Sequence, residues 1–304
     1  MNIVIVNHNT AGHLAACLES LVAGGMDGVA ADVWVVDNAS NDGSADLVRQ
    51  RFPWARLIES PDNVGFSAAN NLALRAAGYP ERPTPREAAP ERAALLLNPD
   101  TIVPPGALAA LAAVLEEEPE VGVVGPQLVL SDGSLDLACR RAFPTPEVAF
   151  YRFSGLSRLF PRSPRFARYN MTFLDRDEPA DVDSVVGACM LVRGAAIADA
   201  GLLDERFWMY GEDLDWALRI HTAGWRVVYR PRVVIHHVKR AASRGSRRAA
   251  FEFQRAMWLF YDKHYAATTP RWVHALVMLG LAVRGGPRLL REMRSGSDAS
   301  EAMT

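Results

Sequence analysis

Cysteine is scarce in this sequence: Cys17, Cys139 and Cys189 are all it holds. None forms a Cys-x-x-Cys pair and no zinc-type spacing occurs. That excludes a disulfide scaffold and a structural zinc site, and leaves three thiols that read as small buried hydrophobes of a reducing compartment. Charge of one sign is also missing. The net charge is −2 with 22% charged residues, which argues against a disordered chain and against a generic nucleic-acid binder. No basic leader precedes an apolar core, because Asn2-Ile3-Val4-Ile5-Val6 already reads as a strand, so no signal peptide is expected. No apolar run reaches the ~18–20 residues that span a bilayer; the longest candidate, Trp272 to Val283, is short and contains His274. Internal repeats are absent. So are Gly-x-Gly-x-x-Gly and the Walker loop, which disfavours dinucleotide dehydrogenases and P-loop NTPases. The expectation is a cytoplasmic protein that touches the membrane, if anywhere, at its inner face.

What is present is the material of one large α/β domain. The chain has 304 residues, 49% of them hydrophobic, enough for a sizeable core. Short apolar runs alternate with amphipathic stretches through the first 125 residues. Strands are expected at Ile3–Val6, Val33–Val36, Leu57–Glu59, Ala94–Leu97 and Val121–Val124. Helices are expected at His13–Val22, Ser44–Arg51 with Ser44 as N-cap, Ser67–Ala77 ending at Gly78, and Gly106–Glu117. Such alternation predicts a Rossmann-like, mostly parallel sheet with right-handed crossovers. Further on, Leu128–Ala138 reads as a hairpin turning at Asp132-Gly133, Val182–Val192 as a strand, and Glu212–Ala223 as a helix closed by Gly224. Arg226–Tyr229 and Val233–His236 read as short strands. Arg140 to Asp181 lacks clear periodicity, the mark of a functional loop. Helix returns beyond Ser246 to about Arg294.

Ligands of such sheets bind beyond the carboxyl ends of the strands. The residues placed there are Asn7-His8-Asn9, Asp37-Asn38-Ala39-Ser40 and Asn98-Pro99-Asp100-Thr101, polar except for Ala39 and Pro99. A carboxylate such as Asp100 can hold a hard divalent cation bridging two phosphates, or close its strand with an Asx-turn. Asp37 can accept from a pyrimidine N3–H or from ribose hydroxyls, or simply shape a turn. Glu212, Asp213 and Asp215 crowd the start of one helix, between Trp208, Met209, Tyr210 and Trp216. A helix start favours acids, and apolar surroundings raise a carboxyl pKa toward that of a general base. His236-His237 follows a strand about two dozen residues later and offers a nitrogen ligand.

Taken together and in order, these stretches resemble the family 2 glycosyltransferases, and within them the bacterial rhamnosyltransferase-like branch. The segments that carry the resemblance are Val4-Ile5-Val6-Asn7-His8-Asn9, Val35 to Ser44, Asn63-Val64-Gly65-Phe66-Ser67-Ala68-Ala69-Asn70-Asn71, Leu97-Asn98-Pro99-Asp100, Gly187-Ala188-Cys189-Met190 and Gly211-Glu212-Asp213-Leu214-Asp215. The resemblance implies a GT-A fold, a nucleotide-diphosphate-sugar donor, a divalent metal (Mg²⁺ or Mn²⁺) and inversion at the anomeric carbon. It assigns Asp213 as catalytic base with Glu212 beside it. It assigns Asn7, Asn9, Asp37, Asn63, Gly65, Asn98 and Asp100 to the donor, and Asp100 with His236 to the metal. His237, Asp215, Lys239 and Arg240 are the secondary candidates. In the family's Asp-x-Asp motif the first acid is Asn98 here, which removes one negative charge from the metal site.

The expected division is a catalytic domain over 1–240, its donor half about 1–125 and its acceptor half about 126–240. A helical extension over 241–294 and a disordered tail over 295–304 follow. Lys239 to Arg255 carries six basic residues and one acid, suited to a diphosphate or a lipid-pyrophosphate acceptor. Arginines flank the apolar stretch Trp272–Val283, which suits an interfacial helix on anionic lipid, a helix packed on the catalytic domain, or a homodimer contact. The acceptor expected is a glycan or lipid-linked sugar of the cell envelope, with no nucleic acid. Rhamnose from a dTDP donor is the first expectation, and a UDP-hexose the alternative. A sugar nucleotidyltransferase would need a cationic Gly-rich loop where Asn7-His8-Asn9-Thr10-Ala11-Gly12 stands. A non-catalytic module would not need Glu212-Asp213 together with Asp100.

Overall fold

The computed structural model describes residues 1–85, 89–238 and 247–301. Strand and helix alternate through the first half. β1 (Asn2–Asn7) leads to α1 (Ala11–Ser20), β2 (Asp32–Asn38) to α2 (Ser44–Arg51), and β3 (Arg56–Ser60) to α3 (Phe66–Ala76). β4 (Ala94–Leu97) runs through the short β5 (Thr101–Ile102) to α4 (Ala107–Glu117). Every residue of β4 is buried, as in sheets covered on both faces. Ser44 opens α2 from inside. Its N–H donates to Asp42 Oδ1 at 3.1 Å, and Gly43 enters the helix at φ 83°, so the capping carboxylate is Asp42 rather than the expected Ser44.

The second half supplies β6 (Val121–Leu130), α5 (Pro146–Phe153), α6 (Leu156–Leu159), β7 (Ala180–Asp181), β8 (Cys189–Val192), α7 (Gly194–Ala200), α8 (Glu212–Thr222) and β9 (Arg226–His237). Among the described residues nine strands make one sheet in the order β3-β2-β1-β4-β8-β6-β9-β5, with β7 on β9. β3, β2, β1 and β4 are parallel, so the polar residues after β1, β2 and β4 share one edge. β8 enters antiparallel between β4 and β6, which makes the sheet mixed rather than mostly parallel.

Three expectations on the second half are corrected. Val182–Val192 is not one strand: only its last four residues join the ladder. The rest bends, because Ser184 pairs with Arg141 and Gly187 is drawn to α8. Arg226–Tyr229 and Val233–His236 are one strand, with a register shift against β6 at Pro126/Gln127. The irregular stretch after Arg140 contains α5, opened by Thr145, whose hydroxyl accepts from Val148 N at 3.3 Å.

Two helices follow, α9 (Arg247–His264) and α10 (Arg271–Glu301), the latter kinked at Gly286 (φ 70°) before Pro287. Helical backbone therefore continues past Arg294, where a disordered tail was expected. Arg271–Arg294 is long and apolar enough to cross a membrane by length and composition, with a mean hydropathy of 1.2 over an 18-residue stretch of it. The shorter count from sequence came from stopping the run at its arginines. α9 belongs to the main core: Phe260 and Tyr261 are buried with the sheet residues.

Candidate active site

β1 and β2 end side by side, Asn7 against Asp37. Asn7 is wholly buried. Its amide donates to Asp37 Oδ1 at 3.2 Å and to Ser40 Oγ at 3.1 Å, while its carbonyl accepts from Thr10 Oγ1 at 2.6 Å. Ser40 N donates to Asp37 Oδ2 at 3.0 Å. Each carboxylate oxygen of Asp37 thus keeps one acceptor position for a ligand. Asn9 sits at φ 54°, gives its N–H to Ser40 Oγ at 3.0 Å and accepts from Asn41 N at 2.8 Å. Of the four asparagines expected at the donor, Asn7 and Asn9 are engaged in shaping the loop that carries Asp37.

Asn38 was not among the residues assigned to the donor, yet it joins the loop after β2 to the 63–65 loop. Its Oδ1 accepts from Val64 N at 3.0 Å, and its Nδ2 donates to Asn63 Oδ1 at 3.1 Å and Gly65 O at 3.2 Å. Gly65 is left-handed at φ 90°, and a Cβ there would meet Trp208 Cδ1 and O at 2.5 Å. Phe66 N donates to that same Trp208 O at 2.7 Å. The 63–65 loop is therefore clamped between Asn38 and Trp208. Arg248, from the basic stretch, lies over the Trp208 ring at 3.6 Å, a cation–π contact.

β5 pairs with β9 so that Thr101 faces His237. That register brings His237 Nε2 within 3.4 Å of Asp100 Oδ1. His237 Nδ1 lies 3.1 Å from Oδ2 of the fully buried Asp136. His236, the expected metal ligand, is exposed on the opposite face. Alternation decides this: Val233, Ile235 and His237 point in, Val234 and His236 out. The same period-2 count along the sequence would have chosen His237. Burial works against charge on His237, but the hydrogen bonds and charges of Asp100 and Asp136 outweigh it and raise its pKa to about 9. Asn98 is half-buried and offers its backbone carbonyl to Thr101 Oγ1 at 2.7 Å.

Among the described residues no group of three or more His, Cys, Asp or Glu is arranged to hold a metal ion. The carboxylate of Asp100 and the imidazole of His237 are the donor pair that the fold brings together. Two such donors suit Mn²⁺ or Mg²⁺ when phosphate oxygens and water complete the shell. Lys239 and Arg240 lie outside the described residues.

The acids of α8 are entered through two consecutive left-handed residues, Tyr210 (φ 69°) and Gly211 (φ 78°). A non-glycine residue at such φ stores strain and is held by its surroundings; here Tyr210 packs edge-on against Phe253 at 5.8 Å. Asp213 Oδ2 is 2.8 Å from Arg141 Nη2 and accepts from Gly187 N at 3.0 Å. Its Oδ1 accepts from Leu214 N at 2.8 Å. Arg141 is buried and donates to Val185 O at 2.9 Å; burial works against its charge, but the charge and hydrogen bond of Asp213 together with Tyr169 and Glu212 raise its pKa further. Next to this pair Glu212 is buried, with Oε2 lacking any partner. Burial, then the neighbouring Asp213 charge, push its pKa up to about 8.

Asp215 points away from these two. It accepts from Arg219 Nε at 2.9 Å, and from Lys263 Nζ and His264 Nε2 at 2.7 Å each. Burial would raise its pKa, but His264, Arg219 and Lys263 hold it low. Asp215 ties α8 to α9. Arg141 and Asp136 were not anticipated. Both come from the stretch after β6, and only the Arg141–Ser184 bridge places Arg141 beneath α8.

Residues 1–258 match the glycosyltransferase-like family 2. The chain belongs to that family. It is a transferase, and its fold is GT-A. A curated relative, the N-acetylglucosaminyl-diphospho-decaprenol L-rhamnosyltransferase of Mycobacterium tuberculosis, is 29% identical over 266 residues, covering 86% of this chain and 84% of the relative. A low-salt glycan biosynthesis hexosyltransferase of Haloferax volcanii is 26% identical over 72% of this chain and 61% of its own. Among solved structures, the mannosyltransferase of Pyrobaculum calidifontis with GDP-Man and Mn²⁺ superposes with a TM-score of 0.56 at 18% identity, over 98% of this chain and 79% of that one. GalNAc-T7 with UDP, GalNAc and Mn²⁺ gives 0.57 at 14% identity, over 88% of this chain and 51% of that one. At these identities the structures speak for the fold.

Proposed function

We propose that this family 2 transferase moves rhamnose from dTDP-rhamnose to a sugar hydroxyl on a lipid-linked envelope glycan, with inversion, at the cytoplasmic face of the membrane. The Arg141–Asp213 pair beside Glu212 carries the chemical part of this reading. The mycobacterial relative supports the sugar and the acceptor class. Asp37 accepts from the thymine N3–H or the ribose, and the Asn63–Gly65 loop borders the nucleotide. Asp213 Oδ2 is filled by Arg141 and Gly187, whereas Oδ1 keeps one acceptor position. Oδ1 is then the atom that takes the acceptor proton, at ~2.6–3.2 Å from the hydroxyl oxygen. As the acceptor oxygen bonds to the anomeric carbon, the bond to the diphosphate breaks and its electron pair leaves on the phosphate oxygen. Arg141 keeps Asp213 oriented toward the acceptor, and Glu212, neutral at pH 7, serves as a hydrogen-bond donor. Asp100 and His237 would hold a divalent cation that offsets charge on the leaving diphosphate.

The hexosyltransferase relative favours a second reading, a UDP- or GDP-hexose donor. Thermal shift against dTDP-rhamnose, UDP-hexoses and GDP-mannose with Mn²⁺ separates the two; no shift with any of them defeats both. Asp213→Asn is expected to lower kcat about 10²–10⁴-fold, the usual size of a general-base contribution. Arg141→Gln is expected to lower kcat with the KM for donor little changed. Transfer at wild-type rate by Asp213→Asn rejects the base assignment.

A further inference from the structure

The conspicuous feature outside the site is an apolar surface made by two segments far apart in sequence. On α10, Trp272, Leu276, Leu279 and Val283 recur every three to four residues in one stripe and are 59% to 74% exposed. Around α5 and α6, Phe150, Phe153, Leu159 and Phe160 are also exposed. The guanidinium of Arg284 on α10 lies 4.4 Å from the ring centroid of Phe153, so the two patches adjoin. The opposite side of α10 is packed: Leu281 and Leu289 are buried, and His274 Nδ1 is 2.9 Å from Tyr261 OH on α9. A helix fastened in this way along one side rests on the protein and presents its other side outward.

Charge says what covers that side. Residues 145–170 hold five arginines and one glutamate, and residues 271–291 hold four arginines and no acid. Nine positive charges against one negative leave +8 on the two segments of a chain whose net charge is −2. All nine arginines are exposed. An apolar stripe rimmed by arginines matches an anionic lipid surface, with side chains in the acyl boundary and guanidinium groups among the phosphates. A self-association face would instead place arginine against arginine around a two-fold axis. Phe153 helps line a small cavity of about 10 Å³ with Ala149, Arg152, Tyr169, Phe253 and Met257, and Phe253 packs on Tyr210, just before the acids of α8.

We infer that α10 together with α5–α6 forms one composite face that seats the protein on an anionic bilayer. This rests on the lipid-linked acceptor proposed above only for its purpose; the binding itself is read without any sugar. The full chain is to be floated with phosphatidylcholine vesicles, with and without about one-third phosphatidylglycerol. The expected result is flotation with the anionic vesicles only, weakened by high salt. Leu276→Glu/Leu279→Glu and, separately, Phe150→Glu/Leu159→Glu are each expected to lower vesicle partitioning roughly tenfold or more. Nucleotide-sugar thermal shifts should stay unchanged in both variants, which shows that they fold and separates this inference from the donor assignment. Wild-type protein that stays with the lipid-free fraction overturns the inference. So does a dimer in light scattering that the α10 variant dissociates while vesicles bind neither form. Loss in the α10 variant with full binding by the α5–α6 variant overturns the composite face.

Discussion

At the scale of single residues, the site is decided by which of two neighbours faces inward. His237 and His236 are adjacent and chemically identical, yet only His237 meets Asp100. His237→Ala is expected to abolish the extra thermal stabilisation that Mn²⁺ gives in the presence of nucleoside diphosphate. His236→Ala should leave it intact, and the reverse result would return the assignment to His236. Glu212 offers a test of the other half. Its pKa rises from an ordinary carboxylate value to about 8 in the folded chain. Between about pH 4.5 and 8 the folded state therefore keeps a proton that the unfolded state releases. Stability falls as pH rises through that window. Glu212→Gln removes the titration and keeps the shape, so its melting temperature should match wild type near pH 5 and exceed it by a few degrees at pH 9. An equal difference at both pH values would mean that Glu212 is not held neutral.

At the scale of elements, α8 works with both its faces. One presents Glu212 and Asp213 to the sheet edge, and the other spends Asp215 on α9. Asp215 has no exposure and meets the cations Arg219 and Lys263 and the imidazole of His264. Removing the central partner of a buried ion cluster strands the others, at a cost of about 3–5 kcal/mol. Asp215→Ala should therefore lower the urea midpoint by that equivalent, and loss of activity should follow loss of α9 docking. A midpoint unchanged from wild type would show that the cluster carries little stability. The left-handed pair Tyr210-Gly211 belongs to this scale as well. It turns the chain sharply into α8, and a Cβ on Gly211 would press on Phe207 at 3.2 Å and Ala256 at 3.3 Å.

At the scale of the whole molecule, α9 is continuous with the catalytic core. Trp258, Leu259, Phe260 and Tyr261 are buried there, each contributing ~1.5–3 kcal/mol. Their sum is comparable to the whole stability of a domain, ~5–15 kcal/mol. A chain ending at Ser246, close to the boundary expected at 240, should show no cooperative thermal transition. If it unfolds cooperatively at the wild-type temperature, the boundary does separate two folding units.

Local sequence was enough to determine the parallel strands of the first half and to single out the acids of the candidate site. Strand periodicity, strand-end polar residues and the Gly211 to Asp215 run are short-range features, and the chain expresses them wherever it folds. Even the choice of His237 was there to be counted along β9. Other matters depended on partners distant in sequence. β8 slips antiparallel between β4 and β6 because tertiary packing, not local propensity, orders a sheet. Arg141 reaches Asp213 only because residues 141 and 184 pair. Asp136 steadies His237 from 101 residues away. Long-range pairing leaves no local signature, so the acids could be read from the chain, but Arg141, which holds Asp213, and Asp136, which holds His237, appeared only in the folded protein.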